Sequence, residues 1–429
     1  MRAYRAAIFH LLGDPAALGS AALAFHPDGL LLVDGRHIAA CGDYAAIAPS
    51  LGDTPVESFP GKLITPGFID LHIHFPQVDV IASHGDQLLQ WLDRYVFPAE
   101  ASFADPTHAA DAAAFFISEL LRNGTTTAMV FGSSHKASVG ALFAEALRRD
   151  MRLIAGKSLM DRNAPAALLD TVATGRRDSL DLIAAWSGRG RLGYAVTPRF
   201  VVTSTDAQLA MASDIVAAHP EVWMQTHLAE NLAEIAAAEG LFPEASDYLN
   251  VYERFDLVGP RSVFAHCIHL DGGAFARLAR AGAAAAFCPT SNLFLGSGLF
   301  DLATAAARGV KVGIGTDVGA GTTFSILATL GEAYKVGQLR GHALDPFQAF
   351  HLATLGAAAA LGLQDRIGNL APGKEADFLV LDLAATPLLT RRMRTATTLA
   401  DRLFALTILG DDRVVDRTYL AGVCQHERP

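Results

Sequence analysis

The alternation that begins near residue 64 constrains this chain more than any other feature. Short runs rich in Val, Ile, Thr and Phe are each followed by an Ala- and Leu-rich segment of helical period. Eight such runs occur: LITPGFIDLHIH, TTTAMVF, RLIAGKSLM, LGYAVTPRF, EVWMQTHLAE, RSVFAHCIHL, AAAAFCPTSN and VKVGIGTDVG. The segments between them carry helix punctuation, as in residues 105–124, which open on Asp105 and Pro106 and stop at Gly124, and in residues 271–282. Parallel strands joined by helices bury both faces of a sheet, so eight strand and helix units predict an α/β chain with a (β/α)8 TIM-type barrel. The span 64–364 suits a fold that typically takes about 250 residues. A doubly wound open sheet is the alternative, weakened because no Gly-x-Gly-x-x-Gly follows the first strand.

The flanks read differently. Residues 1–63 contain GLLLVDGRHIAACGD, strand, Asp-Gly turn and strand again, and residues 365–429 contain GKEADFLVLDL and DRVVDRTYLAGV. Each piece is too small to enclose a core, so the two termini are expected to combine into one small β-sandwich beside the barrel.

Composition narrows the function. With 51% apolar and 18% charged residues the chain can bury a large core. Its formal charge is -10, and no basic run exceeds an Arg-Arg pair, which argues against nucleic acid as a partner. Cys41, Cys267, Cys288 and Cys424 lack Cys-x-x-Cys spacing, so neither a disulfide framework nor a cysteine metal site is expected. No apolar run reaches the ~18 residues a membrane span needs, and the N-terminal AAIFHLL is too short for a secretory signal. A cytoplasmic protein with no membrane partner is the expectation.

Polar residues gather at the ends of the strand-like runs: His72 and His74 in the first, Arg199 in the fourth, His227 in the fifth, His266 and His269 in the sixth, Asn292 in the seventh and Asp317 in the eighth. In a barrel those ends share one mouth. His72 and His74 are two apart, so on a strand their side chains point the same way and can reach one ion at roughly 2.0 to 2.1 Å. Alone, a His-x-His pair is more often two hydrogen-bonded strand histidines; His227 and Asp317 at other strand ends tip the balance to a metal site. Glu230, three residues after His227, reads either as a helix-capping carboxylate or as a proton carrier between water and a leaving group, and the second role wins beside a metal. Arg199, Phe200 and Gln77 supply edge and face contacts for a flat heterocycle. The remaining histidines are given no role, with His10, His26, His37, His219 and His426 expected in solvated flanks or loops.

PGFIDLHIH, THLAEN, AHCIHL, GTDVGAG and the tail IGNLAPGKEADFLVLD resemble the amidohydrolase superfamily, while HFPQ, TPRF and GTDVGAGTTFSILATLGEAYKV are similar to its guanine-deaminating members. The resemblance runs over nearly the whole chain. It implies a barrel with a terminal β-sandwich, one catalytic zinc per chain, and hydrolysis of guanine to xanthine and ammonia in purine catabolism. Residue by residue, it implies that His72, His74, His227 and Asp317 hold the metal and that Glu230 shuttles the proton. It further implies that His266 orients the attacking water and that Gln77, Arg199 and Phe200 meet guanine; as an acceptor beside the metal, Asp317 can share with His266 in holding that water. A homodimer goes with it. No lysine closes the fourth run, where two-metal relatives would carry one, which favours a single metal. Imidazole and carboxylate sites also accept iron. Deaminases of adenine nucleosides, pterins or 8-oxoguanine and triazine hydrolases remain alternatives, with a non-catalytic scaffold as the remote one.

Overall fold

The computed structural model describes residues 1–85 and 87–429. Eight parallel barrel strands run in chain order around the axis: Phe68–His74, Thr125–Phe131, Arg152–Gly156 with its continuation Ser158–Leu159, Leu192–Pro198, Trp223–Leu228, Ser262–His266, Ala284–Phe287 and Lys311–Ile314. Closure comes just past the eighth strand, where Asp317 N–H donates to His72 O at 2.8 Å and His74 N–H to Val318 O at 2.9 Å. The helices punctuate as the sequence predicts: Asp105 caps Pro106–Arg122, and Asp271 caps Gly272–Ala281, which ends on left-handed Gly282.

The first apolar run is not one strand. Val56–Pro66 belongs to the terminal sheet, Phe68–His74 begins the barrel, and Gly67 divides them. A Cβ at Gly67 would lie 2.0 Å from Thr126 Oγ1, so only glycine lets the chain pass this close to the second strand. Along Phe68–His74 the pairing register then shifts between Asp70 and Ile73. Leu71 joins the apolar plug inside the barrel while His72 and His74 reach the mouth. That plug contains Ile69, Leu71, Met129, Ile154, Trp223 and Val263, and Trp223 Nε1–H donates to Leu361 O at 3.0 Å beneath it.

Both termini build a second sheet of seven strands, in the order Val423–Glu427, Val415–Leu420, Phe378–Asp382, Val56–Pro66, Arg2–Leu11, Leu23–Asp34, His37–Asp43. The seam joins Phe378–Asp382 antiparallel to Val56–Pro66, with Val380 opposite Ile64. Tyr4, Phe378 and Tyr419 pack across it, the last two stacked at 4.2 Å. The C-terminal part also holds two helices, Pro387–Met393 and Leu399–Leu409, the second packed on barrel helix Ile326–Leu339.

His10 departs from its expected solvated setting. It sits in strand Arg2–Leu11 at 4% exposure, and burial, with His26 nearby, pushes its imidazole down to about 4. The four cysteines are free thiols, in line with their spacing. Among the described residues, no helix is long and apolar enough to cross a membrane.

Candidate active site

The strand ends bring His72, His74, His227, His266 and Asp317 to one buried point. Each is under a tenth exposed. His72 Nε2 and His74 Nε2 lie 3.1 and 3.3 Å from Asp317 Oδ1, and His74 Nε2 lies 3.1 Å from His227 Nε2. His72 Nε2 makes no hydrogen bond despite that proximity. His227 Nδ1–H donates to Arg199 O at 2.6 Å, and because a carbonyl only accepts, His227 Nε2 is left with a bare lone pair. Four ligands about 2.0 to 2.1 Å from one tetrahedral ion stand roughly 3.3 to 3.4 Å from each other, and the three separations above are close to that, while His72, His74 and His227 form one group and His72, His266 and Asp317 another, each within 4.8 Å. The donor set, with the unpaired His72 Nε2 and the His227 Nε2 lone pair turned toward one point, therefore fits a divalent metal.

The protonation states agree with that use. Burial pushes His74 down to about 3 and His227 well below the ordinary imidazole value. Both are neutral at physiological pH, the state in which an imidazole can bind a metal. Burial alone would raise the Asp317 carboxyl, but His72, His74 and His266 around it hold it well below the usual range. Beneath the ligands Asp70 accepts from Thr316 Oγ1 at 2.5 Å, from Thr316 N at 3.1 Å and from His72 N at 3.1 Å, tying the first strand to the loop that carries Asp317.

Above the ligands lies Glu230, with Oε2 3.4 Å from His266 Nε2 and Oε1 accepting from Ser297 Oγ at 3.3 Å. Burial first, then the nearby Asp317 charge, push its carboxyl up to about 8. The capping role that sequence left open for Glu230 belongs instead to Glu234. Asn231 and Glu234 form a capping box on helix Leu232–Leu241, and Glu234 accepts from the Glu230 backbone N–H at 2.8 Å. Tyr248 Oη donates to the other Glu234 oxygen at 2.6 Å. This clamp fixes a strained turn, since Ala229 has φ 50°, and His266, Cys267 and Asp317 also sit at positive φ, at 69°, 53° and 53°.

The adjoining cavity, about 390 Å³ including its open mouth, is bounded by Gln77, Trp91, Arg199, Phe200 and Glu230 on one side and by His74, His227, His266 and Asp317 on the other. Arg199 follows the fourth strand directly, and Gln77 lies in the turn Phe75–Val80. All nine residues singled out from sequence thus border or adjoin one space. His269 does not, since its Nε2–H donates to Ser297 O at 2.9 Å. Asn292 serves His266, whose Nδ1 lies 2.9 Å from its Oδ1. Sequence reasoning passed over Glu100, Glu234 and Trp91. The spacing Asn231-x-x-Glu234 could have revealed the second; no local pattern marks the others.

Residues 63–424 match the model of the Amidohydrolase family. The chain belongs to the amidohydrolase family. Within this family it is 50% identical over 418 residues to a guanine deaminase of Escherichia coli (strain K12), covering 97% of this chain and 95% of that one. The solved structure of an E. coli guanine deaminase superposes with a TM-score of 0.98 at 48% identity over 100% of both chains. A guanine deaminase from C. acetobutylicum, solved with guanine bound in its active site, superposes with a TM-score of 0.89 at 27% identity, covering 99% of each chain.

Proposed function

We propose that this chain hydrolyses guanine to xanthine and ammonia with one zinc ion held by His72, His74, His227 and Asp317. The observation that carries the reading is the convergence of these four ligands under Glu230, beside a cavity bordered by Gln77, Arg199 and Phe200. The relatives at high identity point to the same substrate.

When bound, the zinc ion supplies Lewis acidity that makes a water molecule acidic near neutral pH. His266 and Asp317 orient the attacking water toward the amine-bearing carbon of the purine. Glu230 takes one water proton, and the burial that raises its carboxyl makes it the stronger base for that and lets it hold the proton at neutral pH until the next step. It delivers the proton to the ring nitrogen beside the attacked carbon. The carbon–nitrogen bond then breaks, and the proton left on the added oxygen goes with the amine, so that ammonia leaves instead of an amide anion. Arg199 and Gln77 offer fixed donors to the purine edge, and Phe200 offers a face for stacking. A homodimer in the cytoplasm goes with this reading, and sedimentation tests the oligomeric state.

A side-by-side panel of guanine, adenine, adenosine, 8-oxoguanine and a pterin, scored for ammonia release by metal-counted protein, tests the function. Guanine should be turned over fastest. Preference for another member of the panel overturns the substrate assignment and leaves a metal-dependent deaminase.

A further inference from the structure

Glu100 lies on the short helix Phe97–Ser102, fully buried behind the cavity wall. Its carboxylate accepts two charge-assisted bonds from Arg199 Nη1, at 2.8 and 2.7 Å, and a third from Gln77 Nε2 at 3.0 Å. We propose that Glu100 is a positioning residue for substrate selection: it aims Arg199 and Gln77 at the purine and cancels the arginine's charge, so that the site takes neutral guanine in preference to an anionic purine. The proposal rests on the guanine reading above.

The aiming follows from donor and acceptor rules. A guanidinium is a planar fork, so committing Nη1 to Glu100 fixes the plane in which Nη2 and Nε can donate. Among the described residues those two nitrogens bond no other group of the chain, and Arg199 borders the cavity. A carboxylate can only accept, so the amide of Gln77 must turn its NH2 end to Glu100. Its Oε1 then meets the Gly319 backbone N–H at 3.3 Å. With both ends held, Gln77 presents one orientation to a ligand, where an unanchored glutamine could present either end.

Charge balance is a second consequence of the pairing, separate from the aiming. Arg199 and Glu100 are 2% and 0% exposed, so neither is screened by solvent. An unbalanced guanidinium at this depth would attract anions strongly, and a divalent cation held by the Asp317 and imidazole cluster next to it would add to that pull. Xanthine, with one more N–H flanked by carbonyls than guanine, is the stronger acid of the two and becomes anionic first as pH rises. Glu100 thereby keeps the product from being held by a bare arginine.

The test compares wild type, E100Q, R199M and the double variant E100Q/R199M. Metal content should stay at wild-type level in all four. E100Q should lower kcat/KM for guanine about 10- to 100-fold, chiefly through KM, because an aiming group changes binding before chemistry. Xanthine should inhibit E100Q more strongly than wild type, with the gap widening from pH 7 to pH 9. If Glu100 acts through Arg199, adding E100Q to R199M should change kcat/KM less than about 2-fold, as expected for partners in one network. R199M leaves the buried Glu100 carboxylate unbalanced and E100Q the guanidinium, whereas the double variant strands neither, so thermal unfolding and metal content of all four accompany the kinetics and show whether a loss of activity is a loss of folding. Equal effects of E100Q in the wild-type and R199M backgrounds, or xanthine inhibition that E100Q leaves unchanged, would overturn the proposal. Guanine turnover by wild type in the same assay separates the two failures: without it the functional reading falls, and with it only the role of Glu100 does.

Discussion

Glu230 and His266 face each other across the barrel mouth, Oε2 to Nε2, at 3.4 Å. The glutamate is anchored at its backbone N–H by Glu234 and at its carboxylate by Ser297, and the histidine by Asn292, so neither side chain can swing away without breaking a buried hydrogen bond. A carboxyl raised to about 8 and aimed at the ligand cluster is placed for proton transfer. Glu230→Gln keeps the shape and removes the acid. Turnover of guanine should fall roughly 10²-fold or more, the usual worth of an acid–base group, with metal and substrate still bound. Near-normal kcat in that variant removes Glu230 from the mechanism.

Metal loading should follow the four ligands. Purified protein should hold one transition-metal ion per chain, and His72→Ala or His227→Ala should lose both the ion and the activity. Elemental analysis with activity measured on the same samples checks this. Full activity in either variant would reject the ligand set.

Arg199 should carry most of the discrimination against adenine. A guanidinium only donates, and adenine presents an amine where guanine presents a carbonyl, so donor would meet donor. Arg199→Ala should reduce kcat/KM for guanine about 10- to 100-fold, the range of a lost charge-assisted bond, without loss of metal. An unchanged ratio of guanine to adenine turnover in that variant would place the selection elsewhere.

His10 makes stability depend on pH away from the active site. Its folded value of about 4 lies below the ordinary 6.5, so the unfolded chain takes up a proton that the folded one refuses. Stability from this group is complete above about pH 6.5 and is lost as pH falls toward 4, by ~3 kcal/mol in all. Urea denaturation midpoints should therefore drop over that interval. His10→Phe should flatten the slope, since His10 Nδ1 has no hydrogen-bond partner to lose. An equally steep slope in the variant would assign the acid sensitivity to other groups.

The sequence by itself determined whatever depends on period and order. Alternating strand and helix patterns dictate a barrel, because parallel strands must be covered on both faces, and a barrel gathers its strand ends at one mouth. His72, His74, His227, His266 and Asp317 were legible for that reason: each ends or follows a strand, so knowing the strand is enough to place the residue. The tertiary structure alone decided what depends on distance through space. Glu100 meets Arg199 across 99 positions of chain, and no local pattern couples them. Gly67 divides an apolar run that reads as continuous, because the obstacle is Thr126 on the neighbouring strand. His10 looks like a flank residue until strand Arg2–Leu11 takes its place inside the seven-stranded sheet, between Leu23–Asp34 and Val56–Pro66. Periodicity records which way a side chain points, whereas burial, pairing and charge balance are set by what the rest of the chain places opposite it.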